Sequence, residues 1–242
     1  MHPRDKLIQF EEKGHRYKIL NDESKYTSVT NWVHSHFEPF DADKIIDKMM
    51  ASKKWKKSPY FGKTKDEIKK QWEQQGSMEG TKLHHDIEVL MKSVPYKQTH
   101  ADIVDPSTNV SLEWSYLMEF IKDTPHLVPY RSEWVVFNED IRISGTIDMV
   151  YENEDGSVMI YDWKRCKDIS KNGWGKYALT ESIDYIPDSN FWHYALQLNM
   201  YKYILETKYD KKVTKLCLVQ LHPLQKSYNI IPLPVIDVEK LF

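Results

Sequence analysis

Gly145-Thr146-Ile147-Asp148-Met149-Val150-Tyr151 runs into Glu154-Asp155-Gly156, and Val158-Met159-Ile160-Tyr161-Asp162-Trp163-Lys164 follows. Both flanks are rich in β-branched and aromatic residues around a turn cluster, which predicts two antiparallel strands joined by a short hairpin. A three-residue hairpin loop commonly ends in a residue with positive φ, and Gly156 suits that place. If Glu154, Asp155 and Gly156 form the loop, Asn153 pairs with Ser157, and counting outward sets Asp148 opposite Asp162. A slip of one residue sends Asp148 to the other face instead. Asp162 and Lys164 are two apart on one strand, so both project from the same face.

Two facing carboxylates repel unless a cation lies between them. Hard oxygen ligands with room for water suit Mg2+ or Mn2+. The neighbouring lysine then orients or deprotonates an attacking water, or stabilises charge that develops on phosphorus. Asp and Lys two apart are common on solvated hairpins. Here Ile147, Met149, Val150, Val158, Ile160 and Tyr161 surround the charges, which argues for a buried setting.

Outward from this hairpin the chain divides in two. Downstream of residue 129, strand-like runs cover residues 130–137, 141–151, 158–163, 213–221 and 228–233, with an aromatic-rich helix over 190–207. Residues 165–189 read as a long, mobile loop. Upstream, residues 8–20 suggest two short strands around Glu12-Lys13-Gly14. Ser28-Val29-Thr30 opens a helix reaching about His36, and residues 41–50 form a second. A long helix covers 65–91 with a possible break near Gly76, and another covers 109–121. A helical half followed by β-β-β-α-β-β gives an α/β fold with a helical N-terminal lobe at about residues 38–75.

Two helical pairs add polar groups. His84 and Glu88 are four apart and share a face, where a histidine can add a nitrogen ligand. Taken alone, His84 reads more readily as a solvated or core histidine. His85 points elsewhere and reads as structural. Gln197 and Tyr201 form a second such pair, extended by His193, while Tyr194, Met200 and Ile204 read as core. Polar tips on Gln197 and Tyr201 suit holding a phosphate or ordering Lys164. In the lobe, Lys53, Lys54, Lys56 and Lys57 interleave with Trp55, Tyr60 and Phe61. Lysines among aromatics suit a single strand of nucleic acid, and equally suit a solvated linker.

The net charge of −2 excludes a uniformly basic coat but allows a basic groove. Two cysteines, Cys166 and Cys217, are too few for a disulfide framework or a four-cysteine iron–sulfur cluster. No run of about 18 apolar residues suggests a membrane span, and residues 1–10 lack the apolar core of a signal peptide, so an intracellular setting without a membrane is expected.

Together these residues resemble the PD-(D/E)XK nuclease superfamily, in its RecB-like, lambda exonuclease-like branch, which includes the mitochondrial genome maintenance exonuclease. Gly80, His84 and Glu88 match a helical Gly-x-x-x-His-x-x-x-Glu, and Glu133 matches a Glu at a strand start. Gly145, Ile147 and Asp148 match Gly-x-hydrophobic-Asp; Asp162, Trp163 and Lys164 match (Asp/Glu)-x-Lys; Gln197 and Tyr201 match Gln-x-x-x-Tyr. Five motifs in order over residues 80–201 are far more specific than any one. Gly14-His15-Arg16-Tyr17 and Ser28-Val29-Thr30 resemble a further upstream part of the pattern.

The resemblance implies a restriction-endonuclease-like core, a mixed central β-sheet flanked by helices, within a single nuclease domain. It implies that His84, Asp148, Asp162 and the backbone carbonyl of Trp163 ligate Mg2+ or Mn2+, and that Lys164 acts on water. Glu133, Gln197 and Tyr201 support the site, with Glu88 behind it. Ser28 and Thr30, with Lys53, Trp55, Lys56 and Tyr60, are the expected substrate contacts. The partner it implies is DNA, single-stranded or at its ends, in repair or recombination. The chain also lacks a Gly-x-x-x-x-Gly-Lys-(Ser/Thr) motor motif, so it reads as a stand-alone module or a subunit.

Overall fold

The structure, a computed structural model, describes residues 2–11, 14, 16–105 and 108–242, and for 73–78 the helical backbone alone. Glu12 and Lys13 of the expected first turn, and His15 beside it, lie outside the described residues. In chain order the elements are β1 (Ile8–Glu11), β2 (Arg16–Ile19), β3 (Thr27–Ser28), α1 (Val29–Ser35), α2 (Ala42–Met50), α3 (Lys65–Ser93) and α4 (Leu112–Asp123). There follow β4 (Val128–Asn138), β5 (Ile143–Glu152), β6 (Val158–Lys164), α5 (Asn190–Lys208), β7 (Val213–Gln220) and β8 (Asn229–Pro232).

Strands β3 to β8 form one mixed sheet in the order β3-β5-β6-β7-β8, with β4 also paired to β5. The alternation of each strand assigns its side chains to two cores. Val158, Ile160, Leu216 and Leu218 pack with α1 and α5 on one face, against Val33, Leu196, Met200 and Ile204. Tyr161, Trp163, Cys217 and Val219 pack with α3 and α4 on the other, against Leu83, Ile87, Leu117 and Phe120. A sheet apolar on both faces needs helices on both, and each fully buried side chain of this kind contributes about 1.5–3 kcal/mol. This is the mixed sheet between helices of a restriction-endonuclease-like core.

The pairing leaves a fork. One edge of β5 is taken by β4 throughout. Its other edge is shared: β3 runs parallel to it at Ile143 and Ser144, and β6 antiparallel from Met149 to Glu152. Residues 145–148 between those contacts have no strand partner on that side, so their edge opens into the fork.

Helix α3 runs unbroken through residue 76, although the glycine there suggested an interruption. A helix-interior glycine costs about 1 kcal/mol and does not by itself end a helix. Thr64 and Glu67 cap its start reciprocally. The first turns pack on α2, where Ile46 and Ile68 are fully buried and Asp43–Lys69 (2.8 Å) and Asp47–Lys65 (2.6 Å) pair. The last turns bury Leu83, Ile87, Leu90 and Met91 against the sheet. One helix thus joins the lobe to the core. The β1–β2 hairpin packs Ile8 and Ile19 on Phe137 of β4. The 165–189 segment is pinned by Leu179 N–H to the His36 carbonyl (2.7 Å) and by Asp188 N–H to that of Lys176 (2.9 Å). No helix among the described residues is long and apolar enough to cross a membrane.

Candidate active site

The β5–β6 hairpin closes as its turn chemistry demands. Asn153 N–H donates to the Ser157 carbonyl (2.8 Å), and Gly156 has φ +79°. Glu152 pairs with Val158 and Met149 with Tyr161, so the same count sets Asp148 across from Asp162. The ladder stops there. Past Met149 the strands separate, and the Asp148 carboxylate accepts the Trp163 N–H at 3.0 Å. Both carboxylates therefore stand at the open fork.

A third carboxylate arrives from β4. Ser132 pairs with Met149 and Trp134 with Ile147, which sets Glu133 across from Asp148. Glu133 has φ +48°, a left-handed conformation that costs a non-glycine residue about 1–3 kcal/mol. The alternation slips at the same level: Ile147 joins the core under α5 and Met149 the core under α3. Such an irregularity re-aims side chains, here towards the fork.

Helix α3 brings His84 over this point. Its Nε2–H donates to the Trp163 carbonyl (2.9 Å), and its Nδ1 lies 3.5 Å from Asp148 Oδ2. One ligand atom each from His84, Glu133 and Asp148 lie within 4.8 Å of one another. The donor set is one nitrogen and hard oxygens, as a divalent cation of the Mg2+ or Mn2+ kind requires. The Asp162 Oδ2 is fully buried and lacks a well-aligned hydrogen bond, although Lys164 Nζ is 2.6 Å away.

The electrostatics show what the cluster lacks. Burial, then the nearby charge of Asp148, pushes the Asp162 carboxyl up to about 6. Burial, then Asp148 and Glu88, pushes Glu133 up to about 8. Negative charge here exceeds what Lys164 compensates. Burial opposes the charge on Lys164, but Asp162 and Asp148 outweigh it and hold the lysine above its ordinary value.

A model of the PD-(D/E)XK nuclease superfamily matches residues 31–238. The chain belongs to this superfamily. No curated relative matches it to narrow the family further. The match takes in every core motif, from His84 to Tyr201, and leaves the β1–β2 hairpin outside.

Other residues of this PD-(D/E)XK nuclease support the fork from α5. Tyr201 is buried and hydrogen-bonded with Gln197. A Cβ at Gly145 would lie 2.8 Å from Tyr201 Cε1 and 3.0 Å from Val29 Cγ2, so the glycine admits the tyrosine. The motif glycine and the motif tyrosine are one contact. Tyr194, expected as core, packs on the core yet also holds its ring 4.7 Å from Lys164 Nζ. Its place on the helix, three before Gln197, is a signal that could have marked it. Tyr17 from β2, which the sequence offered only within Gly14-His15-Arg16-Tyr17 and without a role, is a second such residue. Its hydroxyl hydrogen-bonds Thr146 Oγ1 at 3.0 Å; burial, with Glu133 and Asp148 adding, pushes its phenol up.

The remaining expected residues lie elsewhere. His193 meets Asp188 (2.9 Å) and stacks on Phe37 (4.0 Å), away from the carboxylates. His85 is exposed and lies 3.8 Å from Glu88 Oε2. Ser28 Oγ caps α1 by accepting the Asn31 N–H (3.1 Å), and Thr30 is exposed. Lys53 and Lys56 are exposed, whereas Trp55 meets Phe61 (5.9 Å) and Tyr60 meets Trp72 (6.1 Å). Sixteen residues of α3 separate Ile68 from His84, about 24 Å along a helix, so the lobe is no part of the carboxylate cluster.

Proposed function

We propose that the chain is a Mg2+- or Mn2+-dependent deoxyribonuclease, an exonuclease on single-stranded DNA or DNA ends, leaving 5′-phosphate. The observation that carries this reading is the meeting of His84, Glu133 and Asp148 within 4.8 Å beside the Asp162–Lys164 pair at 2.6 Å. His84, Glu133, Asp148, Asp162 and the Trp163 carbonyl are the groups to hold the ion. When bound, the cation neutralises the carboxylates and supplies Lewis acidity towards a phosphoryl oxygen.

Lys164 stays an ammonium between Asp162 and Asp148, so its part is to donate: it orients the attacking water and stabilises charge developing on phosphate. Tyr194 covers one side of that ammonium. Gln197 and Tyr201 brace the fork through Gly145. The lobe, with Lys53, Lys56, Trp55 and Tyr60, offers cations and aromatic faces to a single strand. Ser28 and Thr30 are proposed to meet a backbone phosphate. The exonuclease reading and its RecB-like branch rest on the order of the motifs.

The test is cleavage of end-labelled single-stranded DNA with Mg2+ or Mn2+, comparing wild type with Lys164→Ala and Asp148→Asn. The expected result is a product ladder growing from one end, with each variant slower by about 100-fold or more. Cleavage of circular DNA instead identifies an endonuclease, and cleavage of RNA alone a ribonuclease. If the wild type cleaves nothing while still binding DNA, the chain is a binding module.

A further inference from the structure

His84, Glu88 and Lys92 lie at four-residue spacing on α3 and share one face. Glu133 of β4 feels the charges of both Glu88 and Lys92, so this face runs along β4. Beyond the carboxylates, between the end of α3 and the start of β4, lies a cleft of about 260 Å³. Lys92, Tyr96, Tyr130, Arg131 and Ser132 line it.

Lys92 is ion-paired with Glu88, so among the described residues the unpaired cation of this cleft is Arg131. The Arg131 guanidinium stacks 4.6 Å from the Tyr130 ring centre and 5.8 Å from that of Trp134. One of its nitrogens donates to the Tyr130 carbonyl (3.1 Å), and among the described residues no carboxylate ion-pairs with it. Arg4 and Arg165, by contrast, are neutralised by Glu139 and by Glu79 and Glu113. A guanidinium lying over an aromatic ring, with no acidic partner among the described residues, keeps donors for the two-pronged contact a phosphodiester offers. The next residue, Ser132, gives its hydroxyl to the Asp148 carbonyl (3.4 Å), which ties the cleft to the fork. Lys92 is eight residues from His84, about 12 Å along the helix. That is too far for the phosphate under attack, but in reach of another on the same strand.

We infer that Arg131 forms a subsite for a non-scissile phosphodiester of the bound strand, with the Lys92 ammonium, shared with Glu88, beside it. The strand then runs from the carboxylate fork along α3 to the cleft. The inference rests on the nuclease reading above. It adds a position-specific contact to that reading.

The test is a set of single-stranded oligonucleotides in which each phosphodiester in turn is replaced by an uncharged methylphosphonate. Wild-type kcat/KM is expected to fall by about 10- to 100-fold at one position away from the cut, the scale of a hydrogen bond to a charged group. Arg131→Ala loses a similar factor on the unmodified strand, mostly in KM, and becomes insensitive at that position. Arg131→Met keeps the packed stem and gives the same result if the stacking in Arg131→Ala costs stability. An Arg131→Met enzyme that cleaves like wild type, or keeps the wild-type pattern of sensitivity, overturns the subsite and leaves the nuclease reading intact. A wild type inert on every strand overturns both.

Discussion

Buried titratable groups pull the stability of this molecule in opposite directions with pH. Glu133 and Asp162 are raised to about 8 and about 6. In the metal-free protein they hold protons that the unfolded chain has lost, so their part in stability falls as pH rises through those values. His100 acts the other way. Its Nδ1 meets Thr124 Oγ1 (2.9 Å), and because that hydroxyl already donates to the Phe120 carbonyl, Nδ1 is the donor. Nε2 then accepts from the Tyr151 hydroxyl (3.0 Å), a bond that protonation breaks. Burial pushes His100 down to about 4. The unfolded chain therefore binds the extra proton first, and the stability tied to His100 is complete above about 6.5 and is lost as pH falls towards 4. The loss is expected to reach about 3 kcal/mol. Denaturant unfolding in EDTA at several pH values checks this: the wild type minus His100→Gln difference should shrink by that amount between pH 7 and 4, and a flat difference refutes it. At this scale Asp148, Asp162 and Lys164 were legible in the sequence, because turn length and period-two spacing fix which groups face one another. Tyr194 was not, since an aromatic on a helix reads as core until its neighbours are known. The left-handed turn of Glu133 was invisible because its residue type does not demand it.

Among the elements, α3 is the one whose two ends do different work. Its last turns seat His84 on the sheet, and its first turns carry the lobe. The surface pairs Asp43–Lys69 and Asp47–Lys65 contribute little, of the order of 0–1 kcal/mol each. The lobe therefore depends on Ile46 and Ile68, both fully buried. Ile68→Ala is expected to loosen residues 38–64 without melting the sheet core. Limited proteolysis should show faster cutting within that stretch, while the main thermal transition moves by less than about 2 °C, whereas the roughly 2–5 kcal/mol of a buried isoleucine lost from the core itself would move it by about 4 °C or more. A main transition that falls together with the lobe shows that lobe and core unfold as one. The continuous α3 was only partly legible: the residue pattern gave the helix, but the glycine at 76 counted against continuity, and packing at both ends decides the matter. The hairpin of β5 and β6 was fully legible, because its register follows from one turn.

For the whole molecule, the question is how a chain of net charge −2 binds a polyanion. The fork cannot supply the attraction, since its carboxylates outnumber Lys164 until a cation is bound. Positive charge must come from elsewhere, and the exposed lysines of the lobe are the largest unpaired source among the described residues: Lys53, Lys54, Lys56 and Lys57 form no ion pair there. Each lysine that contacts a phosphate of a single strand releases a counterion and adds about 0.7 to the slope of log affinity against log salt. Replacing Lys53 and Lys56 together by glutamine is therefore expected to reduce that slope by about 1.4. Both residues precede α3, in the lobe that packs on its first turns and not on the turns that carry His84, so kcat at saturating strand should not change. Fluorescence anisotropy on a labelled single strand over a salt series gives the slope, and steady-state cleavage gives kcat. If the slope is unchanged, the lobe is a solvated appendage and the strand is held by the core alone. If kcat falls while the slope holds, the lobe acts on the fork through α3 rather than on the strand.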